Sequence, residues 1–107
     1  MTKVIAEIGI NHDGSYEIAE KLINSAKSSG AWGVKFQYRN LENSYHKQSD
    51  EIGDASLKDE IKRAYISPTS ILKLCEFAKN LNLKVGISFF VSQDINDFGN
   101  SINTFDF

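Results

Sequence analysis

The hydrophobic residues of this chain follow two spacings, one typical of strands and the other typical of helices. The first run, Lys3–Ile10, is almost continuously apolar, which predicts a strand covered on both faces as in a parallel sheet. The polar turn Asn11–Gly14 follows, and Ser15 is placed to cap a helix whose apolar residues recur at helical spacing over Ile18–Ala26. Gly30 is expected to end that helix, so strand, turn and helix form the first half of a βαβ unit.

The same rhythm continues downstream. A second strand is predicted over Ala31–Tyr38 and a third over Lys84–Val91. The polar stretch between them is long for a compact domain, and such insertions are commonly functional or disordered. A short helix is predicted inside it over Leu57–Tyr65. Ser67-Pro68 then starts a long amphipathic helix, with serine at the cap and proline at the first helical position.

The end of the chain predicts a short helix and one more strand. The helix is expected over Asp94–Phe98 with Ser92 as its cap, and Ile102–Phe107 has the composition of a fourth strand. Right-handed crossovers would make the sheet parallel, with helices packed outside it. A closed eightfold barrel takes ~250 residues. Residues 1–107 are therefore predicted to be a single unit of the α/β class with three to four parallel strands, too few to close such a barrel and part of something larger.

Composition adds limits on partners and location. The chain has 107 residues and a net charge of -2, so it has no basic excess that would imply nucleic acid as a partner. No apolar run approaches the roughly 18 residues of a membrane span, and Met1 leads directly into a strand pattern, which leaves no room for a signal peptide. The lone cysteine, Cys75, lies on the apolar face of a predicted helix, where packing is its expected role. We expect a cytoplasmic protein without membrane or nucleic-acid partners.

Polar residues collect on one face of the predicted sheet. Side chains alternate across a strand, so the parity of the residue number sorts them by face. The helix-facing set is apolar or aromatic, and the rule assigns Ile10 to it. The opposite face collects Glu7 and Asn11 from the first strand, Lys35 and Gln37 from the second, and Ser88 from the third. Barrel interiors are usually filled by branched apolar residues, so this polar set predicts a binding site.

Glu7 and Lys35 each have two interpretations. A carboxylate inside an apolar strand needs a partner, so the two residues either form a buried structural ion pair or bind opposite ends of a ligand. As a ligand contact, Lys35 either clamps a phosphate or carboxylate as a point charge or reacts as an imine-forming amine.

The residues around this face are also open to two interpretations. Asn11–Gly14 is either a plain turn or part of the site, and His12 within it adds weight to the site. Arg39 and His46 lie where a loop could reach the mouth of the site, but ordinary solvation is the expectation for both.

The segments Ala6–Ser15 and Gly33–Gln37 resemble the N-terminal part of the sialic acid synthase family, the phosphoenolpyruvate-condensing nonulosonate synthases. Weaker similarity extends through the Ser67-Pro68 helix to Gly86–Phe90. The resemblance implies a (β/α)8 barrel, usually followed by a small antifreeze-like domain, in a domain-swapped homodimer. It also implies a transferase that joins phosphoenolpyruvate to an N-acetylmannosamine-type aldehyde with the help of Mn²⁺ or Mg²⁺.

The resemblance also implies roles for single residues. Glu7 corresponds to the acidic catalytic residue at the acceptor site, Lys35 to a lysine that binds phosphoenolpyruvate, and Gln37 to a contact with the acceptor sugar. The predicted substrate-binding set is completed by Asn11, His12 and Ser88.

Two departures from the family pattern limit this expectation. Ser88-Phe89-Phe90 stands where the family commonly has Ser/Thr-Pro-Phe. A further catalytic glutamate and the histidine pair that holds the metal would lie beyond Phe107, so metal ligands are not expected in this chain and the chain alone is expected to have no turnover. The alternatives are a barrel aldolase that forms an imine at Lys35 and a non-catalytic fragment that acts through association, its open sheet edges covered by another copy.

Overall fold

A parallel sheet of three strands is the centre of the molecule. The computed structural model of the chain describes residues 2–44 and 55–107. Its strands β1 (Ile5–Gly9), β2 (Gly33–Tyr38) and β3 (Lys84–Phe89) lie in the order β1-β2-β3, and both neighbouring pairs are parallel. The predicted α/β class with parallel β/α units is therefore confirmed. Strands β1 and β3 are both shorter than the apolar runs that predict them.

Helices follow each strand, in the order expected for β/α units. They are α1 (Tyr16–Ser28), α2 (Leu41–Ser44), α3 (Ala55–Arg63), α4 (Pro68–Asn80) and α5 (Ser92–Asn96), followed by a 3-10 helix (Gly99–Thr104). Two of the three predicted serine caps are confirmed. Ser15 Oγ accepts a hydrogen bond from Ile18 N–H, and Ser67 Oγ accepts one from Ser70 N–H, each at 3.2 Å. None of the helices in the described residues is long and apolar enough to cross a membrane.

The hydrophobic core lies between one face of the sheet and the two long helices. Val34 and Val85 from the sheet are fully buried, as are Ile23 of α1 and Leu74 of α4. Cys75 belongs to this core, which confirms its predicted packing role. Burial raises the pKa of the Cys75 thiol to about 12, so the side chain remains a protonated, apolar filler.

The short helix after β3 forms, but its predicted cap is wrong. Ser92 is the first residue of α5, and Val91 occupies the cap position. The backbone N–H groups just before the helix bind a side chain within the helix instead. Asp94 Oδ2 accepts hydrogen bonds from Phe90 N–H and Val91 N–H, both at 3.3 Å. The buried carboxylate of Asp94 therefore fixes the start of α5 through the N–H groups that precede the helix.

The predicted fourth strand over Ile102–Phe107 is wrong. A 3-10 helix covers Gly99–Thr104, and the residues after it run beside β3 without forming a strand. Two backbone hydrogen bonds join this stretch to β3. Asp106 N–H donates to the Val85 carbonyl at 2.7 Å, and Ile87 N–H donates to the Phe107 carbonyl at 3.0 Å.

Helical spacing of aromatic residues explains that error. Phe98, Ile102 and Phe105 recur at intervals of four and three residues, and all three contact the core. The rings of Phe98 and Phe105 meet edge to face with centroids 5.6 Å apart. Packing on one side of a helical turn therefore outweighs the strand propensity of these residues.

Candidate functional site

Three of the predicted site residues meet on the face of the sheet opposite the core. Glu7 and Lys35 lie directly opposite each other in the pairing of β1 with β2, and Lys35 Nζ is 4.0 Å from Glu7 Oε1. Gln37 Nε2 donates a hydrogen bond to the same oxygen at 3.2 Å. The prediction that these side chains share one face is confirmed. We call Glu7, Lys35 and Gln37 the Glu7 cluster.

The interactions inside the Glu7 cluster are weak. The lysine and glutamate side chains are 36% and 46% exposed, and their 4.0 Å separation is at the outer limit of an ion pair. Exposed pairs of this kind contribute about 0–1 kcal/mol. A buried structural ion pair, one of the two interpretations of these residues, is therefore not what the structure contains. Both groups keep free hydrogen-bonding capacity on an open surface.

A β-bulge follows Glu7 and changes which residues share its face. Glu7 pairs with Lys35, but Gly9 pairs with Phe36, and Gly9 adopts a positive φ of 53°. The alternation predicted through Ile10 therefore fails. Ile10 is 41% exposed instead of lying in the core, because the bulge and the end of β1 re-aim the chain.

Asn11 and His12 lie in the turn beyond the bulge and have different environments. Asn11 is exposed, and its backbone N–H donates to the Ile8 carbonyl at 3.0 Å. His12 is only 2% exposed, and its Nδ1 accepts a hydrogen bond from Gly14 N–H at 3.0 Å. Burial lowers the pKa of His12, so the neutral ring stabilises the turn. The predicted substrate contacts of both residues stay predictions, and His12 would have to be uncovered to make one.

The turn also docks onto the end of α3, a contact that sequence reasoning missed. A Cβ placed on Gly14 would lie 2.2 Å from the Arg63 carbonyl oxygen, so only glycine allows this approach. Arg63 Nε donates to Asp13 Oδ1 at 2.8 Å across the same junction. The first βα turn therefore holds α3 at the carboxyl end of the sheet, where ligands bind in α/β proteins.

The third strand extends the polar face. Ser88 lies opposite Gln37 in the register of β2 and β3, which places it next to the Glu7 cluster as predicted from parity. Gly86 lies opposite Lys35, and the ring of Phe107 covers it so closely that a Cβ there would clash at 2.2 Å. A substrate contact by Ser88 stays a prediction.

The described residues do not fit the divalent ion that the resemblance implies. Nowhere in residues 2–44 and 55–107 do three His, Cys, Asp or Glu side chains approach closely enough to hold a metal. Divalent cations of this type require several oxygen or nitrogen ligands. Glu7 supplies one carboxylate, and Gln37 already shares one of its oxygens.

A cavity of about 220 Å³ opens beside the Glu7 cluster, between the strand ends and α3. Its walls include Ile10, Gln37, Arg39, Ile61, Tyr65 and Phe90. Arg39 departs from the expectation of ordinary solvation at one atom, because its Nε is buried and has no hydrogen-bond partner among the described residues. The Arg39 guanidinium carbon lies 4.5 Å from the ring centroid of Phe90. The only feature of the sequence that could have indicated this environment is the position of Arg39 directly after a strand. His46 lies outside the described residues.

A second polar cluster lies at the same end of the sheet, and we call it the Asp94 cluster. It consists of Asp94, Asp97, Tyr38, Asn40 and Asn43. Asp97 Oδ2 accepts hydrogen bonds from Tyr38 Oη–H (2.6 Å), Asn40 Nδ2 (3.1 Å) and Asn43 Nδ2 (2.8 Å). Fully buried Asp94 accepts from Asn40 N–H (3.3 Å) and Asn43 Nδ2 (3.0 Å). Hydrogen bonds from these donors lower the pKa of Asp97 despite some desolvation, and the cluster fastens α2 and α5 to the strand ends.

Comparison with known proteins agrees with this fold. The chain is 28% identical over 100 residues to the N,N'-diacetyllegionaminic acid synthase of Legionella pneumophila, a match that covers 86% of this chain and 28% of that protein. It is 42% identical over 48 residues to the N-acetylneuraminate-9-phosphate synthase of Mus musculus, covering 45% of this chain and 13% of that protein. The structure matches the N-acetylneuraminic acid (sialic acid) synthetase of Leptospira borgpetersenii, solved in complex with citrate, with a TM-score of 0.74 and 25% identity. The chain is a relative of the sialic acid synthases.

The extent of the match to the sialic acid synthases is limited. The chain spans 28% or less of the length of the two curated relatives. The match to the Leptospira structure covers 89% of this chain and 31% of that protein. No family model matches the sequence. The α/β fold and the relationship to the sialic acid synthases follow from these matches, and the activity of this chain is a separate question.

Proposed function

We propose that this chain supplies part of the active site of a nonulosonate synthase, a transferase that forms a carbon–carbon bond between phosphoenolpyruvate and an N-acetylmannosamine-type aldehyde. The observation that carries the proposal is the Glu7 cluster, in which an ammonium, a carboxamide and a carboxylate meet on one open sheet face. The synthase names of the relatives support it. In this proposal the sheet belongs to a (β/α)8 barrel.

Each member of the cluster suits one part of the reaction. The Lys35 ammonium would bind the phosphate or carboxylate of phosphoenolpyruvate as a point charge. Gln37 and Glu7 would hydrogen-bond hydroxyl groups of the sugar, and Glu7, as the catalytic carboxylate, would orient the aldehyde. The enol carbon of phosphoenolpyruvate forms a bond to the aldehyde carbon, water then adds to the resulting cationic carbon, and phosphate leaves with cleavage of its C–O bond.

The isolated chain is proposed to lack part of the machinery for turnover. The Mn²⁺ or Mg²⁺ of the family would need ligands from outside the described residues, and we propose that the isolated chain binds substrate without turnover. The outer edge of β1 has no neighbouring strand in the described sheet, which supports association with another copy as a homo-oligomer. A cytoplasmic location, without nucleic-acid or membrane partners, completes the proposal.

Binding of phosphoenolpyruvate by the purified chain tests the role of Lys35. Wild type and two variants, Lys35→Met and Lys84→Met, are compared by calorimetry. Both substitutions remove a strand lysine, but Lys84 lies at the opposite end of β3 from the proposed site. Loss of a charge-assisted contact is expected to weaken binding about tenfold in Lys35→Met, with Lys84→Met close to wild type.

Three results would overturn the proposal. Two of them are equal affinity of the two variants for phosphoenolpyruvate and no binding by the wild type. The other is borohydride trapping of pyruvate on Lys35, detected by mass spectrometry, because an imine at this position would support the aldolase alternative.

A further inference from the structure

The outer edge of β1 is open in the sheet that the described residues form. The strand order β1-β2-β3 gives β1 a neighbour on one side only. The Val4 carbonyl accepts hydrogen bonds from Trp32 N–H (2.7 Å) and Gly33 N–H (3.4 Å), so the backbone of Val4 faces β2. Because backbone groups alternate in direction along a strand, the N–H and C=O groups of Ile5 and Glu7 face the open edge. Such an edge can pair with another strand.

The opposite edge of the sheet is already occupied. Asp106 N–H donates to the Val85 carbonyl at 2.7 Å, and Ile87 N–H donates to the Phe107 carbonyl at 3.0 Å. Asp106 Oδ2 also accepts a hydrogen bond from Val85 N–H at 2.9 Å. Since one edge is covered and the other is open, strand pairing between copies joins two open edges and then stops. A closed dimer is therefore expected instead of a filament.

The charges along the open edge of β1 complement a second copy of the same edge. Lys3, Ile5 and Glu7 share one parity, which assigns them to the open face of the sheet. Lys3 Nζ lies 4.7 Å from the ring centroid of Trp32, and that ring stacks on Phe107 on the same face. An antiparallel pair with its two-fold axis at Ile5 places Lys3 of each copy opposite the partner's Glu7. Both of these cross-strand pairs are attractive.

The apolar side chains of the edge fit the same arrangement. A groove of about 260 Å³ runs between β1 and α1, and its walls include Val4, Ala6 and Leu22. Val4 is 58% exposed and Ile5 is 44% exposed. With the axis at Ile5, the partner's Val4 lies opposite Ala6, whose small side chain leaves room for it in the groove. Pairing of the two edges would therefore remove exposed apolar surface from water.

We infer that β1 docks onto β1 of a second copy, in an antiparallel two-fold pair centred on Ile5. The backbone groups of Ile5 bind those of the partner's Ile5, and Lys3 binds the partner's Glu7. Lys35 and Gln37 both approach Glu7 Oε1, so Oε2, which has no partner among the described residues, accepts the partner's Lys3. The partner thus contributes a residue to the Glu7 cluster. This inference rests on the association included in the proposed function and specifies its segment and register.

Charge exchange at the two ends of the edge tests the register. Because the bulge at Gly9 limits the regular edge to Lys3–Glu7, sedimentation equilibrium of the chain is expected to show a reversible dimer with a small interface. Lys3→Glu and Glu7→Lys each place like charges opposite each other twice, so each should raise the dissociation constant of the dimer about tenfold. The double variant restores two attractive pairs and should return close to the wild-type value. Lys84→Glu makes the same charge change on β3 and should match wild type.

Disulfide cross-linking locates the two-fold axis independently of the charge variants. In the inferred pair, the α-carbons of Ile5 and the partner's Ile5 would be about 5.5 Å apart, a distance that a disulfide spans. Ile5→Cys is therefore expected to form a covalent dimer when oxidised glutathione is added as the oxidant. Val4→Cys is the matched control, because the partner's Ala6 lies opposite it and its two sulfur atoms cannot meet. Cys75 is buried in the core and does not compete.

The outcomes distinguish this inference from the proposed active site. A monomer over about three decades of protein concentration, or an open-ended assembly, would overturn the inference. A dimer that the single charge variants leave unchanged, or that cross-links through Val4→Cys in preference to Ile5→Cys, would also overturn it, because the copies would then meet in another way. Lys35-dependent binding of phosphoenolpyruvate by a monomer would leave the proposed active site standing without the docking strand. A dimer with the inferred register that binds no phosphoenolpyruvate would support the docking strand and remove the proposed active site.

Discussion

The Asp94 cluster and the Glu7 cluster lie at the same end of one sheet, but they use their polar groups differently. Asp94 is fully buried and accepts hydrogen bonds from both side-chain and backbone donors. Glu7 is about half exposed, accepts one hydrogen bond and has its lysine at 4.0 Å. Next to it, the Nε–H donor of Arg39 is buried without an acceptor in the part of the chain that the structure describes.

The two clusters differ in how many of their hydrogen-bonding groups are already used within the protein. A cluster whose acceptors are fully used stabilises the fold, because removing it would leave buried donors unpaired. A cluster with unused groups contributes little to stability and keeps its capacity for a ligand. Substitutions in the Asp94 cluster should therefore lower the free energy of unfolding more than substitutions in the Glu7 cluster. Substitutions in the Glu7 cluster should weaken ligand binding more.

The largest expected effect is on the free energy of unfolding of Asp94→Ala. This change leaves the backbone N–H groups of Asn40, Phe90 and Val91 without their side-chain acceptor. We expect a loss of about 2–4 kcal/mol by urea denaturation. The matched change Glu7→Ala should cost less than about 0.5 kcal/mol, as for most exposed polar substitutions. Equal losses in the two variants would contradict the comparison.

A smaller effect is expected where the first turn meets α3. Gly14→Ala combines a positive φ of 79° with a Cβ that would lie 2.2 Å from the Arg63 carbonyl. Gly30→Ala is the control, since Gly30 has a similar φ of 85° but no neighbour within 4 Å of the added Cβ. We expect about 1 kcal/mol for Gly30→Ala and about 2–3 kcal/mol for Gly14→Ala. Equal shifts in melting temperature would show that the close approach of α3 contributes nothing.

The smallest expected effect is a pH dependence caused by His12. Because the pKa of His12 is lower in the folded chain than its ordinary value of 6.5, the unfolded chain binds the proton more tightly. The contribution of neutral His12 to the free energy of unfolding should be fully present above pH 6.5 and should be lost as the pH falls below that value. Asp97, whose pKa is also lowered from an ordinary value of 3.8, acts only in more acidic solution. Urea midpoints between pH 7.5 and 5.5 should fall for wild type and fall less for His12→Gln; identical slopes would exclude His12 as the cause.

Most elements with a clear period and a local cap could be predicted from the sequence. Ser15 and Ser67 cap their helices as expected because capping depends on residues three positions apart. The shared face of Glu7 and Lys35 also follows from local alternation, once the strands are parallel and in register. These features need no knowledge of distant contacts.

The predictions that were wrong concern features that depend on distant parts of the chain. The tail after Phe98 becomes helical because its apolar residues meet the aromatic cluster, which no local pattern specifies. The burial of Arg39 depends on where α3 is held, and α3 is held by Gly14 and Arg63, far apart in sequence. Sequence patterns therefore describe the sheet better than the cavity beside it.

The bulge at Gly9 separates the pairing of Glu7 in the sheet from the conformation of the loop that follows. Ala6 and Glu7 are aligned with Val34 and Lys35 before the irregularity, and pairing resumes one position out of step after it. Lengthening or shortening the loop therefore leaves the carboxylate's alignment intact. Changes in the turn are instead expected to act on the docking of α3, which depends on Asp13 and Gly14.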